Sequence, residues 1–223
     1  MYLSRIKLDP SNRRVWRDVV AHPYRVHQLV MMGFSAETDR ATAHILHRLE
    51  VSEQSVSLLV QSAIEPHWQT FDPRYLAYDP FDALPNPAVK KFPLEQFQRE
   101  QRWRFRLRAN PTVAKRRYTA EGKRRHSNRV PLVREAKQIE WLGRKAADHG
   151  YELQIAHVSN CENVTDFKPR SDGAAKVRPI TQFSVQYDGI LKIADADKFN
   201  TAWRNGIGPS KAFGCGLLSL APA

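Results

Sequence analysis

A tyrosine and a histidine three residues apart, on one face of a predicted helix, are residues whose spacing could support chemistry. A helix that starts at Pro23 would carry Tyr24 and His27 as surface neighbours. An imidazole has an unperturbed pKa of about 6.5, so it can donate or accept a proton near neutral pH. Proton transfer near neutral pH is the chemistry that this pair could perform. Spacing alone leaves the alternative open, since a single helical histidine is more often an exposed or hydrogen-bonded residue than a catalyst.

The chain has eight histidines, and several others are weaker candidates. His22 lies off the helical face of His27, which favours a structural role or a peripheral contact. His44 and His47 are three residues apart in a predicted strand, where they would face opposite sides, so they do not form a simple local metal pair. His126 lies in the basic segment described next, residues 99–129, where we expect it to contribute to binding of a polyanion. We predict no metal site, because these arrangements lack the carboxylate cluster of a two-metal nuclease.

Residues 99–129 concentrate the positive charge of the chain. They contain twelve Lys or Arg residues against two acids, a net charge of +10, while the whole chain carries +12. A local excess of this kind is typical of a surface that binds a polyanion, and nucleic acid is the first partner to consider. The basic residues of this segment that we predict to contact it are Arg102, Arg104, Arg106, Arg108, Lys115, Arg116, Arg117, Lys123, Arg124, Arg125 and Arg129.

Within residues 102–108, arginines alternate with Trp103, Phe105 and Leu107. In a strand, this alternation would place the four arginines on one face and the three apolar side chains on the other. Guanidinium groups favour bidentate contacts with phosphate oxygens, although alternating charge on a solvated sheet face is the simpler explanation. The pattern therefore predicts a strand with one packed face and one phosphate-binding face.

Residues 168–178 form a second basic candidate. A Ser-Asp-Gly turn lies there between two basic arms. Such residues also protect an exposed hairpin edge against aggregation, which is the alternative explanation. The residues that we predict to contact a nucleic acid are Lys168, Arg170, Lys176 and Arg178.

A glycine-rich segment, residues 206–216, precedes the last predicted strand. Its glycines are Gly206, Gly208, Gly214 and Gly216. Their spacing matches neither a dinucleotide-binding fingerprint nor a phosphate-loop NTPase motif, so we expect no small-molecule cofactor there. The alternatives are a turn before an edge strand and a close backbone approach to RNA or to the other domain, with Lys211 as a candidate phosphate contact.

The composition indicates a globular protein, with 42% hydrophobic and 10% aromatic residues. No apolar run approaches the roughly 20 residues that span a bilayer, and residues 1–5 alternate like a strand, so we expect a cytoplasmic protein with no membrane partner. Its two cysteines, Cys161 and Cys215, lack the spacing of a metal cluster or a disulfide framework.

Periodicity predicts two successive cycles of the same element order. The first contains a strand over Tyr2–Leu8, helices over 13–21 and from Pro23, strands over 43–50 and 55–62, a proline-rich loop, and a strand over 89–98. The second contains the arginine-rich strand, a basic loop, a helix over 131–149, strands over 152–158 and 177–187 with an extension over 190–193, a helix over 195–204 and a strand over 216–220. Two βαββαβ units in tandem fit this order, with residues 1–98 in one and 99–223 in the other.

Four segments of the chain resemble one protein family. Residues 1–4, 105–111 and 130–132 and the glycine-rich tail, 206–220, are similar to CasE, the CRISPR-associated endoribonuclease of the type I-E Cascade complex. The resemblance implies an α+β fold of tandem ferredoxin-like (RRM-like) domains with antiparallel sheets. It also implies that residues 168–178 form a groove-binding hairpin.

The same resemblance selects Tyr24 and His27 as the catalytic pair, with His27 as general acid or base and Tyr24 orienting the phosphate or hydroxyl group. It implies metal-independent cleavage of precursor crRNA at the base of the repeat hairpin, with attack by the ribose 2′-OH, which leaves a 2′,3′-cyclic phosphate or its 3′-phosphate product. The implied partners are the repeat stem-loop, the mature crRNA and other Cascade subunits. A non-catalytic subunit that binds structured RNA in a ribonucleoprotein, or that holds RNA only as a scaffold, would share the basic features.

Overall fold

A computed structural model describes residues 1–93, 97–118, 124–168 and 178–223. The first four strands form one sheet, called here the first sheet. The elements up to its last strand are β1 (Tyr2–Leu8), α1 (Arg13–Val15), a π-helical turn (Trp16–Val20), α2 (Pro23–Met31), β2 (Leu46–Val51), β3 (Val56–Ser62), two 3-10 turns (Trp68–Thr70 and Pro73–Tyr75) and β4 (Ala88–Lys91).

The rest of the chain forms a second sheet, two helices and a separate two-stranded ribbon. Its elements are β5 (Arg102–Ala109), β6 (Thr112–Tyr118), β7 (Arg124–Pro131), α3 (Glu135–Asp148), β8 (Tyr151–Lys168), β9 (Arg178–Ile193), α4 (Ala196–Asn205), a 3-10 turn (Lys211–Phe213) and β10 (Leu218–Pro222).

Both sheets have the strand order of a ferredoxin-like fold. The first sheet has the order β2-β3-β1-β4 and the second has β10-β5-β9-β8, and every paired neighbour is antiparallel. If the strands of each sheet are numbered from one to four along the chain, both orders are 4-1-3-2, read from the β4 edge in the first sheet and from the β10 edge in the second. The predicted fold class, tandem ferredoxin-like units with antiparallel sheets, is confirmed. The division at residues 98 and 99 stays a prediction.

The structure corrects several predicted elements. The basic loop after Pro111 is a two-stranded ribbon, β6 and β7, which the sequence concealed because a ribbon needs no alternation of apolar and polar residues when it covers no core. This ribbon extends through Pro131, so α3 begins only after Arg134. The strand predicted over 89–98 is short, Ala88–Lys91, and β8 is much longer than predicted. The predicted strand 177–187 and its extension 190–193 form one continuous strand, β9.

Each sheet packs its own hydrophobic core. In the first, Ile6, Leu58 and Val30 are fully buried together, and Trp68 from the proline-rich segment closes the cluster. In the second, α3 and α4 pack aromatic and aliphatic side chains on one face of the sheet. Phe97 belongs to this second core, with its ring 5.1 Å from that of Phe199. Because each buried apolar side chain contributes about 1.5–3 kcal/mol, both cores hold their sheets firmly.

Arg48 of β2 joins the two sheets. Its side chain is 1% exposed. Its guanidinium donates to the carbonyl oxygens of Arg106 and Leu217, both at 3.1 Å, and to the hydroxyl of Ser219 at 2.9 Å. Glu50 accepts a further hydrogen bond at 2.6 Å, so the buried charge is paired. Removing one partner of such a buried network is strongly destabilising, so these bonds fix the position of one sheet against the other.

Candidate active site

Helix α2 brings Tyr24 and His27 together. Pro23 occupies its first turn, where a missing N–H costs nothing, and the helix predicted from this residue is observed over Pro23–Met31. The rings of Tyr24 and His27 are 5.8 Å apart at their centroids and tilted by 52°. Both side chains are partly exposed. A phenol and an imidazole therefore lie side by side on a surface that a phosphate can reach.

His47 lies against His27 from below. Their ring centroids are 6.0 Å apart, and the ring planes are 18° from parallel. His47 is 1% exposed, and burial, reinforced by the nearby positive charges of His27 and Arg40, lowers its pKa to about 3. His47 is therefore a neutral imidazole throughout the physiological pH range, and it cannot supply the proton of an imidazolium.

The structure corrects the expectation that His44 and His47 share a strand. Strand β2 begins at Leu46, so His44 lies before it, with a left-handed φ of 49°. The carboxylate of Asp39 accepts the N–H groups of Ala41 and Thr42, which holds this segment in a turn. His47 faces the candidate site, since its ring stacks on that of His27 on the α2 side of the sheet.

The glycine-rich segment reaches the same place. All four of its glycines have a positive φ, which residues with an L side chain rarely adopt. The turn that they frame packs against α2 and β2. Within it, the ring of Phe213 is 6.0 Å from that of Tyr24, and a Cβ on Gly214 would lie 3.9 Å from Nε2 of His47. The segment is a turn before an edge strand, β10, and it also closely approaches the first sheet.

Two cations add positive charge to this region. Lys211, in the 3-10 turn, is partly buried. Burial, and secondarily the charge of Arg40, lowers the pKa of its ammonium group. Arg40 itself donates to the carbonyl oxygen of Ile45 at 3.3 Å. Cations placed in this way favour binding of a phosphate and stabilise negative charge that develops on it.

A cleft of about 430 Å³ opens beside His47, between α2 with β2 on one side and β8 on the other. Its polar lining includes Arg108, Asn160 and Glu162, while Phe213 and Gly214 line it from the glycine-rich segment. Among the described parts of the chain, no three His, Cys, Asp or Glu side chains are grouped to hold a metal ion.

The arginine-rich strand has the predicted alternation. Phe105 and Leu107 are buried, whereas Arg102, Arg104 and Arg106 are exposed and Arg108 is partly buried. The sequence did not reveal that acids from other strands already bind two of the arginines. Arg106 Nε lies 2.6 Å from Asp188, and Arg108 lies 3.4 Å from Glu162.

The other basic residues fall in three groups. Arg129 is exposed near the end of β7. Five of them belong to the two strands of the ribbon, β6 and β7: Lys115, Arg116, Arg117, Arg124 and Arg125. Lys168 and Arg178 are register partners at the ends of β8 and β9. The predicted contacts Lys123, Arg170 and Lys176 lie outside the described residues.

Asp166 of β8 was not among the residues predicted from the sequence, although its side chain lies beside the start of α2. Its carboxylate accepts the backbone N–H of Tyr24 at 2.6 Å and lies 3.4 Å from Nδ1 of His22. Asp166 is on β8, 142 residues from Tyr24 along the chain. A capping signal is normally sought within a few residues of a helix start, so no local pattern could have revealed this contact.

Comparison with known proteins decides the family. The sequence model of the family described as "CRISPR associated protein" matches residues 1–222. The chain belongs to this family. Among its members, "CRISPR-associated endoribonuclease Cse3" of Thermus thermophilus is 31% identical, and the match covers 100% of both chains. "CRISPR system Cascade subunit CasE" of Escherichia coli is also 31% identical, again over 100% of both chains.

A solved structure of a family member supports the same assignment. Thermus thermophilus Cse3 "bound to an RNA representing a pre-cleavage complex" superposes with a TM-score of 0.74 at 29% identity, covering 99% of this chain and 98% of that one. The resemblance noted in the four sequence segments is thus confirmed as family membership over the whole length. Among the described residues, no helix is both long and apolar enough to cross a bilayer.

Proposed function

We propose that this protein is a metal-independent endoribonuclease that cleaves precursor crRNA at the base of the repeat hairpin. The observation that carries the proposal is the juxtaposition of Tyr24 and His27 beside the glycine-rich turn with Lys211, in a chain with a relative that is named an endoribonuclease. We further propose that the mature crRNA and other Cascade subunits are its partners, since a relative is named a Cascade subunit.

The proposed reaction uses the substrate's own ribose. The 2′-OH loses its proton and attacks the adjacent phosphorus, and the bond from phosphorus to the 5′-oxygen breaks as that oxygen takes up a proton. The products are a 2′,3′-cyclic phosphate and a 5′-OH. His27 performs one of the two proton transfers, for which a positioned imidazole contributes about 10²- to 10⁴-fold. Tyr24 orients the phosphate or hydroxyl, and Lys211 offsets charge on the crowded phosphorane.

We propose a division of labour between residues 1–98, which carry the catalytic pair, and residues 99–223, which hold the RNA. The exposed arginines of β5 and the basic residues of β6 and β7 give residues 99–223 positive charge. The sequence of residues 168–178 adds further basic residues. Recognition through phosphates and helix shape suits a folded RNA, because an A-form duplex presents its backbone more openly than its base edges.

The test is cleavage of the matched repeat hairpin in excess EDTA by the wild type, His27→Ala and His67→Ala. His67 is an exposed histidine that follows β3 of the first sheet, and it serves as the matched control. We expect cleavage by the wild type and the control, a rate lower by about 10²- to 10⁴-fold for His27→Ala, and equal RNA binding by all three.

Two outcomes would overturn the proposal. Loss of wild-type cleavage in EDTA, restored by a divalent cation, would exclude the metal-independent mechanism. Binding of the repeat hairpin without cleavage under either condition would favour the alternative, a non-catalytic RNA-binding subunit, which uses the arginine face equally well but gains nothing from Tyr24 and His27.

A further inference from the structure

We propose that Asp166, on β8, is a positioning residue that holds Tyr24 and His27 in their reactive arrangement. The inference rests on the proposed function and deepens it. Its basis is one contact: the helix that bears both side chains receives a carboxylate at its N-terminus from the second sheet, 2.6 Å from the N–H of Tyr24.

The N-terminus of α2 lacks a cap of its own. The first backbone N–H groups of any helix have no partner inside the helix. His22, at the N-cap position, makes no side-chain capping bond, and Pro23 has no N–H to donate. The N–H of Tyr24 is therefore the first helical donor, and the buried carboxylate of Asp166 accepts from it. A carboxylate at this end also interacts favourably with the helix dipole.

The geometry of Asp166 suits a role in orientation. Its side chain is 5% exposed and contacts the residues on both sides of Pro23, Tyr24 through its N–H and His22 through its imidazole. The bond is made to the residue that carries the phenol, and His27 is less than one helical turn further along. Since a misplacement of about 1 Å can cost about 10²-fold in rate, loss of this contact should affect chemistry before it affects binding.

Charge gives the proposal a distinctive signature. Asp166 is buried beside a surface proposed to bind a polyanion, so removing its negative charge should leave RNA affinity unchanged or increase it. A fall in cleavage rate after this change therefore cannot come from weaker electrostatic binding. A residue that only stabilised the fold would also leave the rate of the folded, RNA-saturated enzyme unchanged.

The experiment compares single-turnover cleavage of the matched repeat hairpin, at saturating protein, for the wild type, Asp166→Ala and Asp166→Asn. Asparagine keeps an oxygen that can accept from Tyr24 but loses the charge. We expect the rate to fall by about ten- to hundredfold for Asp166→Ala and by less for Asp166→Asn, with RNA affinity unchanged or higher in both.

Glu152→Gln and Glu152→Ala are the matched controls. Glu152 is on the same strand and pairs with Lys192 at 3.1 Å, far from α2 in the register of β8. These variants should cleave at the wild-type rate. Wild-type rates for both Asp166 variants, or a fall in rate explained by an equal fall in affinity, would overturn the positioning role. An inactive wild type would instead overturn the proposed function itself.

Hydrogen exchange at the Tyr24 amide tests the contact without any cleavage. Loss of a charge-assisted hydrogen bond should make this amide exchange at least about tenfold faster in Asp166→Ala, with a smaller change in Asp166→Asn. If Asp166→Ala fails to fold, the rate and exchange of Asp166→Asn still decide the matter. Unchanged exchange together with an unchanged rate in that variant would contradict the proposal.

Discussion

The imidazole of His47 lies under that of His27, with centroids 6.0 Å apart and planes 18° from parallel. One ring is partly exposed on α2, and the other is buried in the first sheet. Within the described residues, neither ring nitrogen of His47 has a hydrogen-bond partner. The buried imidazole is thus a neutral ring packed under His27. Because only the neutral form suits this buried position, the stability of the folded protein depends on pH.

We expect His47 to lower the stability of the folded protein in acid. In the folded protein its pKa is lowered to about 3, from an ordinary value of 6.5 that applies in the unfolded chain. Between these pH values the unfolded state binds more protons, so the free energy of unfolding falls as pH is lowered, by up to about 1.4 kcal/mol per pH unit. Between pH 7 and pH 5 this amounts to about 2 kcal/mol.

Urea unfolding of the wild type and His47→Phe at pH 7 and pH 5 measures this effect. Phenylalanine keeps a ring against His27 but takes up no proton, so the variant should lose about 2 kcal/mol less than the wild type over this interval. His157→Gln, a change at an exposed histidine on β8, should behave like the wild type. Identical pH dependence in His47→Phe would show that His47 is not the group responsible.

The hydroxyl of Tyr24 should matter for the reaction independently of its ring. The ring contacts His27 and Phe213, and Tyr24→Phe preserves both contacts. Loss of one hydrogen bond to a charged phosphate costs about 1.5–3 kcal/mol, so we expect single-turnover cleavage to slow by about ten- to hundredfold. Tyr78→Phe, on a side chain that is 90% exposed, is the control. A wild-type rate for Tyr24→Phe would limit Tyr24 to packing.

Local pattern predicted the elements that carry the site, but not the contacts between them. Alternation along 102–108 predicted β5, and Pro23 predicted the start of α2, since both signals depend on neighbours within one turn or a few residues. The contact of Asp166 with Tyr24 and the pairing of Arg106 with Asp188 join residues 142 and 82 apart along the chain. Such contacts depend on how strands and sheets assemble, which no periodicity records.

Gly206 should tolerate no side chain, for reasons of both conformation and space. Its φ is 75°, and a Cβ there would lie 2.8 Å from both δ carbons of Leu46 and 3.0 Å from the carbonyl oxygen of Gly216. Backbone strain and overpacking each cost about 1–3 kcal/mol, so Gly206→Ala should lower the free energy of unfolding by more than about 2 kcal/mol.

Gly143→Ala is the matched control for this substitution. Gly143 is inside α3, and a Cβ there would meet no atom within 4 Å. Alanine is the better helix former, so this variant should gain about 0.5–1 kcal/mol. Thermal or urea unfolding of both variants gives the comparison, and an equal loss of stability in both would show that neither its φ nor its neighbours Leu46 and Gly216 restrict position 206 to glycine.

The arginines of β5 should differ in how much they contribute to the salt dependence of RNA binding. Each phosphate contact adds up to about 0.9 to the slope of log Kobs against log salt concentration. Arg102 has no acidic partner among the described residues, whereas Arg106 lies 2.6 Å from Asp188 and 3.6 Å from Glu50. We therefore expect Arg102→Gln to lower the slope by nearly a full contact and Arg106→Gln to lower it by less.

In Arg106→Gln, Asp188 loses its partner and would repel the RNA. RNA affinity would then fall for a reason other than the loss of a phosphate contact. The double variant Arg106→Gln/Asp188→Asn removes both charges of the pair and leaves the net charge of the protein unchanged. Its slope, measured by repeat-hairpin binding across a salt series, should match that of the wild type if the pair stays closed when RNA binds. A slope lowered as far as in Arg102→Gln would instead mean that Arg106 leaves Asp188 for a phosphate, and that all four arginines act as the row their alternation suggests.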